Sequence, residues 1–205
     1  MISFTTVLRA IIFPTLLTVV SVTASADPVS VIENWLKKSE DKSHWQKVKY
    51  INNSVNKAAK QTTDIEIWHQ VDYWASPIEM LSKGAADCED FATTKYLLLK
   101  QAGISPANLY LSHVKLDGES EPHMVLVYHN PDDSGFYVLD NVVDKVKLSD
   151  TRTDLKYTYS FNEKGIFTGI PGAFAIVPGS SPLQLKRWQS LLNKWSSEKT
   201  LLQVY

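Results

Sequence analysis

Cys88 is the only cysteine in the chain, and it stands inside the run Asp87-Cys88-Glu89-Asp90. Its setting decides whether it is a small buried hydrophobe, as most free cysteines are, or a nucleophile. A nucleophilic thiol needs a base within reach, and the base needs a group that orients it. Five histidines are available: His44, His69, His113, His123 and His129. Only His123 and His129 lie on a predicted strand followed closely by a second strand that carries an acid, Asp140. Taken alone, His123 reads as a satisfied sheet histidine. Taken with Cys88 and Asp140 it points to acyl transfer through a thioester, with Cys88 as nucleophile, His123 as base and Asp140 as orienting acid.

The thiol is crowded by negative charge. Asp87, Glu89 and Asp90 all lie within two residues of it. At ~5 Å and an effective dielectric constant of ~20, each carboxylate disfavours the thiolate by ~3 kcal/mol, about two pKa units before screening. A helix start favours a thiolate through its unpaired N–H groups and its dipole, but not by enough to offset three acids. A cation would. Three oxygen ligands within four residues suit Ca2+, and no cluster of cysteine and histidine offers a zinc site. Asp87 and Asp90 also have a metal-free reading as caps of a helix starting at Cys88. Glu89 does not cap, so the metal reading leans on it.

These side chains need elements to hold them. The clearest helix runs from Cys88 to Ala102: Asp87 is a good N-cap, Phe91, Lys95, Leu98, Leu99 and Ala102 trace one face, and Gly103 and Pro106 stop it. Two amphipathic helices are expected before it, near residues 28–38 and 42–60, with a short one that has Pro77 in its first turn and ends at Gly84. After it the pattern turns to period two. Strands are predicted over 109–116, 123–129 and 136–143, with edge strands at 158–161 and 173–177. A last helix follows Ser181-Pro182, and its stripe of Leu185, Trp188, Leu191, Leu192 and Trp195 reads as core packing. Helices first and an antiparallel sheet after them make an α+β domain.

The turn cluster Asn130 to Gly135 joins the strands that carry His123 and Asp140. On an antiparallel hairpin a one-residue slip reverses the face of every side chain. A loop of four residues sets His123 directly opposite Asp140, and one of six makes them diagonal neighbours on the same face. An unbulged loop of five separates them. His129 shares the face of His123 but lies ~20 Å along the strand, at ~3.3 Å per residue, too far to serve the same site.

At 205 residues, 44% hydrophobic and 21% charged, the chain suits one globular domain and is too apolar for disorder. A net charge of -1 with no basic stripe gives no footprint for nucleic acid. Residues 1–26 read as a cleavable signal peptide: Arg9 is the only charge, 10–22 is almost unbroken apolar sequence, and Ala24-Ser25-Ala26 offers a signal-peptidase site. The apolar stretch is shorter than the ~20 residues that cross a bilayer, so no membrane insertion of the mature chain is expected. Export of a single domain over 27–205 follows, into a compartment where a free thiol calls for a reason.

Two blocks, Asp72-Tyr73-Trp74-Ala75-Ser76-Pro77 and Gly84-Ala85-Ala86-Asp87-Cys88-Glu89-Asp90-Phe91-Ala92, resemble the bacterial transglutaminase-like cysteine proteinases. His123-Met124-Val125-Leu126, Leu139-Asp140-Asn141 and Tyr159-Ser160-Phe161-Asn162 match later blocks, so the likeness spans residues 45–165. It implies a papain-like, transglutaminase-like core with nucleophile Cys88, base His123 and orienting acid Asp140. It also implies Ca2+ held by Asp87 and Glu89, with Asp90 as a further ligand candidate. Members of this kind are periplasmic endopeptidases that cut the N-terminal region of a large biofilm adhesin after a pair of alanines, releasing it from the cell surface. An inner-membrane cyclic di-GMP receptor holds them inactive. This chain departs mildly, with Ala86 in place of the usual Gly and Ser76 in place of the usual Thr.

In such a site the Cys88 backbone N–H is the expected oxyanion donor. The Trp74 indole is a second candidate, equally placed to pack beside Tyr73. Two other readings stay open. The same triad could transfer the acyl group to an amine, as a transglutaminase does. Alternatively, the chain could be a calcium-dependent binding module with an inactive triad, against which the intact Cys88, His123 and Asp140 argue.

Overall fold

The computed structural model describes residues 26–203. The leader expected over residues 1–26 lies outside them, apart from Ala26. Four helices lead: α1 (Pro28–Ser39), α2 (His44–Ala58), α3 (Asp64–Trp68) and α4 (Pro77–Lys83). Asp27, Ser43 and Ser76 cap α1, α2 and α4, the last two in reciprocal capping boxes with Gln46 and Glu79. Gly84 ends α4 at φ 61°, a conformation that costs glycine nothing. Two very short strands, β1 (Lys60–Gln61) and β2 (Ala85–Ala86), pair in parallel. The Thr62 N–H extends that pairing by donating to the Ala86 carbonyl at 2.9 Å. The segment entering α3 is thereby laid beside the residue that precedes Asp87.

Helix α5 (Cys88–Gln101) follows at once, capped by Asp87, whose Oδ1 accepts the Asp90 N–H at 3.3 Å. One apolar face was expected of it. Instead every residue from Asp90 to Leu99 is buried, because α1, α2 and α4 surround the helix on one side and the sheet covers the other. Thr93 and Thr94, off the expected face, go inside with the leucines, and Lys95, on that face, is buried to its ammonium.

The sheet is antiparallel throughout and has seven strands: β3 (Leu109–Leu116), β4 (Pro122–His129), β5 (Phe136–Leu139), β6 (Lys147–Leu148), β7 (Leu155–Asn162), β8 (Gly165–Thr168) and β9 (Ala175–Ile176). Their order is β6-β5-β4-β3-β7-β8-β9. Two strand expectations are corrected here. Residues 158–161 belong to β7, an interior strand between β3 and β8, and not to an edge. Strand β5 stops at Leu139 and does not reach Val143. It stops because Asp140 turns the chain: its Oδ1 accepts the Val142 N–H at 3.0 Å. From α2, Asn56 and Asn52 hold the Asp140 and Asp144 carbonyls at 2.8 and 2.7 Å.

One sheet face packs Leu111, Leu126 and Leu139 onto Phe91 and Leu98 of α5, and the other carries a smaller cluster of Val114, Val125, Val127 and Val138. Helix α6 (Lys186–Glu198) covers one end of the larger core. Its Trp188 meets Tyr96 and Phe161 edge-on, so the stripe on this helix is core packing. The whole is an α+β fold in which one central helix carries the thiol to the first residues of β4, an interior strand of the sheet.

Candidate active site

His129 pairs with Phe136, which makes the β4–β5 loop six residues long, 130–135. His123 and Asp140 are therefore diagonal neighbours on one face, and the His123 Nε2 lies 2.9 Å from the Asp140 Oδ1, both side chains buried. His129 stacks on Phe136 at the far end of the strand. Cys88, at the first position of α5, and His123 line the same cleft, a cavity of about 750 Å³ bordered by Asp64, Asp72 and Val142. The thiol donates to Glu89 Oε2 at 3.0 Å, and the Met124 backbone N–H is directed at the sulfur. Burial pushes the Cys88 thiol well above its ordinary range, and the Glu89 and Asp87 carboxylates push it further. With no counter-charge, the thiol would be inert at neutral pH.

The counter-charge has a place to sit. Carboxylate oxygens of Asp64, Asp87 and Glu89 all lie within 4.8 Å of one another, the one such group among the described residues. Asp64 was not anticipated. It reaches the cluster through the β1–β2 pairing, and its Oδ2 accepts the Tyr73 N–H. Its other oxygen is buried without a partner. Burial raises the Asp87 carboxyl to about 10, with Glu89, Asp90 and Asp64 adding to it. An orphaned buried oxygen and three mutually repelling acids, all hard oxygen donors, fit a divalent cation. Asp90 is outside this group: it is fully buried, and its Oδ1 accepts the Ala75 N–H at 2.6 Å.

The strap 72–76 that supplies these N–H groups is itself held from the C-terminal helix. Lys194 donates to Tyr73 Oη, the Trp74 carbonyl and Glu79 Oε2 at 2.8, 3.2 and 2.6 Å. Arg187 bonds the Asp72 carbonyl at 3.1 Å and pairs with its carboxylate at 2.9 Å. The Trp74 indole N–H, read as a possible oxyanion donor, is instead donated to Asp72 Oδ1 at 3.0 Å. Its ring lines a second cavity of about 400 Å³ with His113, Tyr159 and Phe161, beyond Glu89.

Behind the pair, Arg152 approaches Asp140 Oδ2 at 2.9 Å. Burial pushes the Asp140 carboxyl up, but His123, the Val142 N–H and Arg152 outweigh it and bring it down to about 2. A buried arginine on the loop before β7 has no local pattern that announces it.

The family model for bacterial transglutaminase-like cysteine proteinases matches residues 27–165, more than half of the chain. The chain belongs to that family. Among solved structures, Legionella pneumophila LapG is 27% identical with a TM-score of 0.65, covering 78% of this chain and 83% of that one. The calcium-bound form of Legionella pneumophila LapG is 26% identical with a TM-score of 0.69, over 83% and 90% of the two chains. Its EGTA-treated form gives 27% identity and a TM-score of 0.67, over 78% and 84%. A search of the curated protein sequences gives no significant match. The cysteine proteinase relationship thus covers the helices, the strap and the sheet through β7, and leaves α6 outside the matched segment.

Proposed function

We propose that this cysteine proteinase is a calcium-dependent periplasmic endopeptidase that cuts the N-terminal region of a large surface adhesin at a dialanine-type site. An inner-membrane cyclic di-GMP receptor would hold it in check. The observation that carries the catalytic part is the shared cleft: a thiol at a helix start, and an imidazole whose Nε2 is taken by a buried carboxylate. That bond leaves Nδ1 as the nitrogen free to act as base. His123 takes the proton from Cys88, and the sulfur attacks the scissile carbonyl. The C–N bond breaks as the leaving amine takes that proton from His123. Water then attacks the thioester with His123 as base, releasing the acid and restoring the thiol. Asp64, Asp87 and Glu89 would hold the ion, which supplies positive charge that relieves their mutual repulsion and favours the thiolate beside them. The calcium-bound and EGTA-treated structures of the LapG relative support that choice of metal.

The mature chain is incubated with an adhesin N-terminal fragment carrying a dialanine. One cut is expected, lost on chelation, restored by calcium and absent in Cys88→Ala. No cut by calcium-loaded protein overturns the substrate assignment, and incorporation of an amine in place of hydrolysis would assign acyl transfer instead.

A further inference from the structure

Arg152 is nearly as buried as the pair it serves, 3% exposed at its side chain, yet it sits on a loop. The Asp140 Oδ1 is fully committed, to His123 at 2.9 Å and to the Val142 N–H at 3.0 Å. The Oδ2 makes no hydrogen bond and lies 2.9 Å from the Arg152 Nη2 as an ion pair. On its outer side Arg152 is gripped by Asp154, Nε at 2.9 Å and Nη2 at 2.8 Å, and that aspartate is half in solvent. The backbone pins the arginine as well: its N–H donates to the Ser149 carbonyl and its carbonyl accepts from Leu155. Four charged or ionisable side chains thus run in line from the surface to the cleft: Asp154, Arg152, Asp140, His123.

We propose that Arg152 is a positioning residue of the peptidase, fixing the plane of the Asp140 carboxylate so that His123 presents Nδ1 to the thiol. The inference rests on the role given to His123 and Asp140 above. A carboxylate held only through Oδ1 can rotate about its Cβ–Cγ bond, and the imidazole would follow. A buried guanidinium anchored by Asp154 and ion-paired with the second Asp140 oxygen restricts that freedom. Lys95 is the other cation near Asp140, buried in α5 over the Phe91 ring, so charge balance alone does not call for Arg152. The fork does.

The test uses the calcium-loaded mature chain and the p-nitrophenyl ester of acetyl-Ala-Ala as probe. In Arg152→Gln, kcat falls about 10–100-fold with KM changed less than about twofold, as a small misalignment at the reacting group would give. The downfield proton resonance of the His123 Nε2–H, held by Asp140, broadens or disappears while the protein still melts cooperatively. Unchanged kcat with an unchanged resonance in the folded variant overturns the proposal, as does a loss confined to KM. If Arg152→Gln does not fold, Arg152→Lys carries the test: a point charge cannot hold two carboxylates in one plane, so kcat drops several-fold and the resonance broadens. Wild-type values for Arg152→Lys refute the fork. Asp140→Asn and His123→Ala are run beside them; if both keep full turnover, the failure lies in the catalytic reading, and the proposal that rests on it falls with it.

Discussion

Replacing Asp64 by Asn removes one of three carboxylates whose oxygens lie within 4.8 Å of one another. At that separation and an effective dielectric constant of ~20, each pair repels by ~3.5 kcal/mol before screening. The substitution abolishes two of the three pairs, and the Asn oxygen can still accept the Tyr73 N–H. Screening and partial protonation reduce the gain, so the ion-free variant is expected to be more stable than wild type by ~1–2 kcal/mol. Calcium should offset most or all of that lead. Loss of one anionic ligand weakens binding by about 30-fold. At a calcium level of 100 times the wild-type Kd, binding stabilises wild type by ~2.7 kcal/mol and the variant by ~0.9 kcal/mol. With ~2–4 °C per kcal/mol for a domain of this size, calcium raises Tm by ~5–11 °C in wild type and ~2–4 °C in the variant. Scanning calorimetry with and without chelator, paired with titration calorimetry, reads both effects. Asp90→Asn, which keeps an acceptor for the Ala75 N–H, should retain wild-type affinity. Wild-type calcium affinity in Asp64→Asn together with a loss in Asp90→Asn would place the ion elsewhere and refute the reasoning.

Two further outcomes are expected. Because burial raises the folded Asp87 carboxyl to about 10, the folded state keeps a proton that the unfolded chain loses near 4. Stability of the chelated protein should therefore fall steadily as pH rises from 5 to 8, and the calcium-loaded protein should show a flatter curve; parallel melting curves under the two conditions would count against an acid cluster relieved by metal. Lys194→Met leaves Glu79 and the Trp74 carbonyl short of a charged donor and should lower stability by ~1–3 kcal/mol, read as a drop of several degrees in Tm, with weaker calcium binding because the strap also supplies the Tyr73 N–H to Asp64.

The parts of this site that could be read before the fold are those set by local rules. An Asp before a helix start, Gly103 after its end, and the parity of one hairpin place Cys88, His123 and Asp140 relative to their own elements. Parity is strict because the side-chain period of a strand is two, so a six-residue loop can put His123 and Asp140 only on the same face. The burial of α5 on every side was not legible, since Thr93 and Thr94 lie off the expected apolar face and look solvent-facing until three helices cover them. Strand β7 looked like an edge because nothing in 155–162 records that a later strand will pair with it.

Asp64 and Arg152 share a different reason for having been missed. Each reaches the site through a contact between distant segments: a two-residue parallel pairing for Asp64, and a turn before β7 for Arg152. Neither leaves a periodic trace. There was an indirect one, in the arithmetic of charge. Three acids beside a thiol demanded compensation, and a carboxylate buried behind a histidine demands it too. Reading an unexplained charge as a request for an unseen partner is the step that carries beyond local pattern. It led from Asp87, Glu89 and Asp90 to the proposed cation, and applied to Asp140, which is 1% exposed, it calls for buried positive charge without saying which residue brings it; Lys95 and Arg152 share that place.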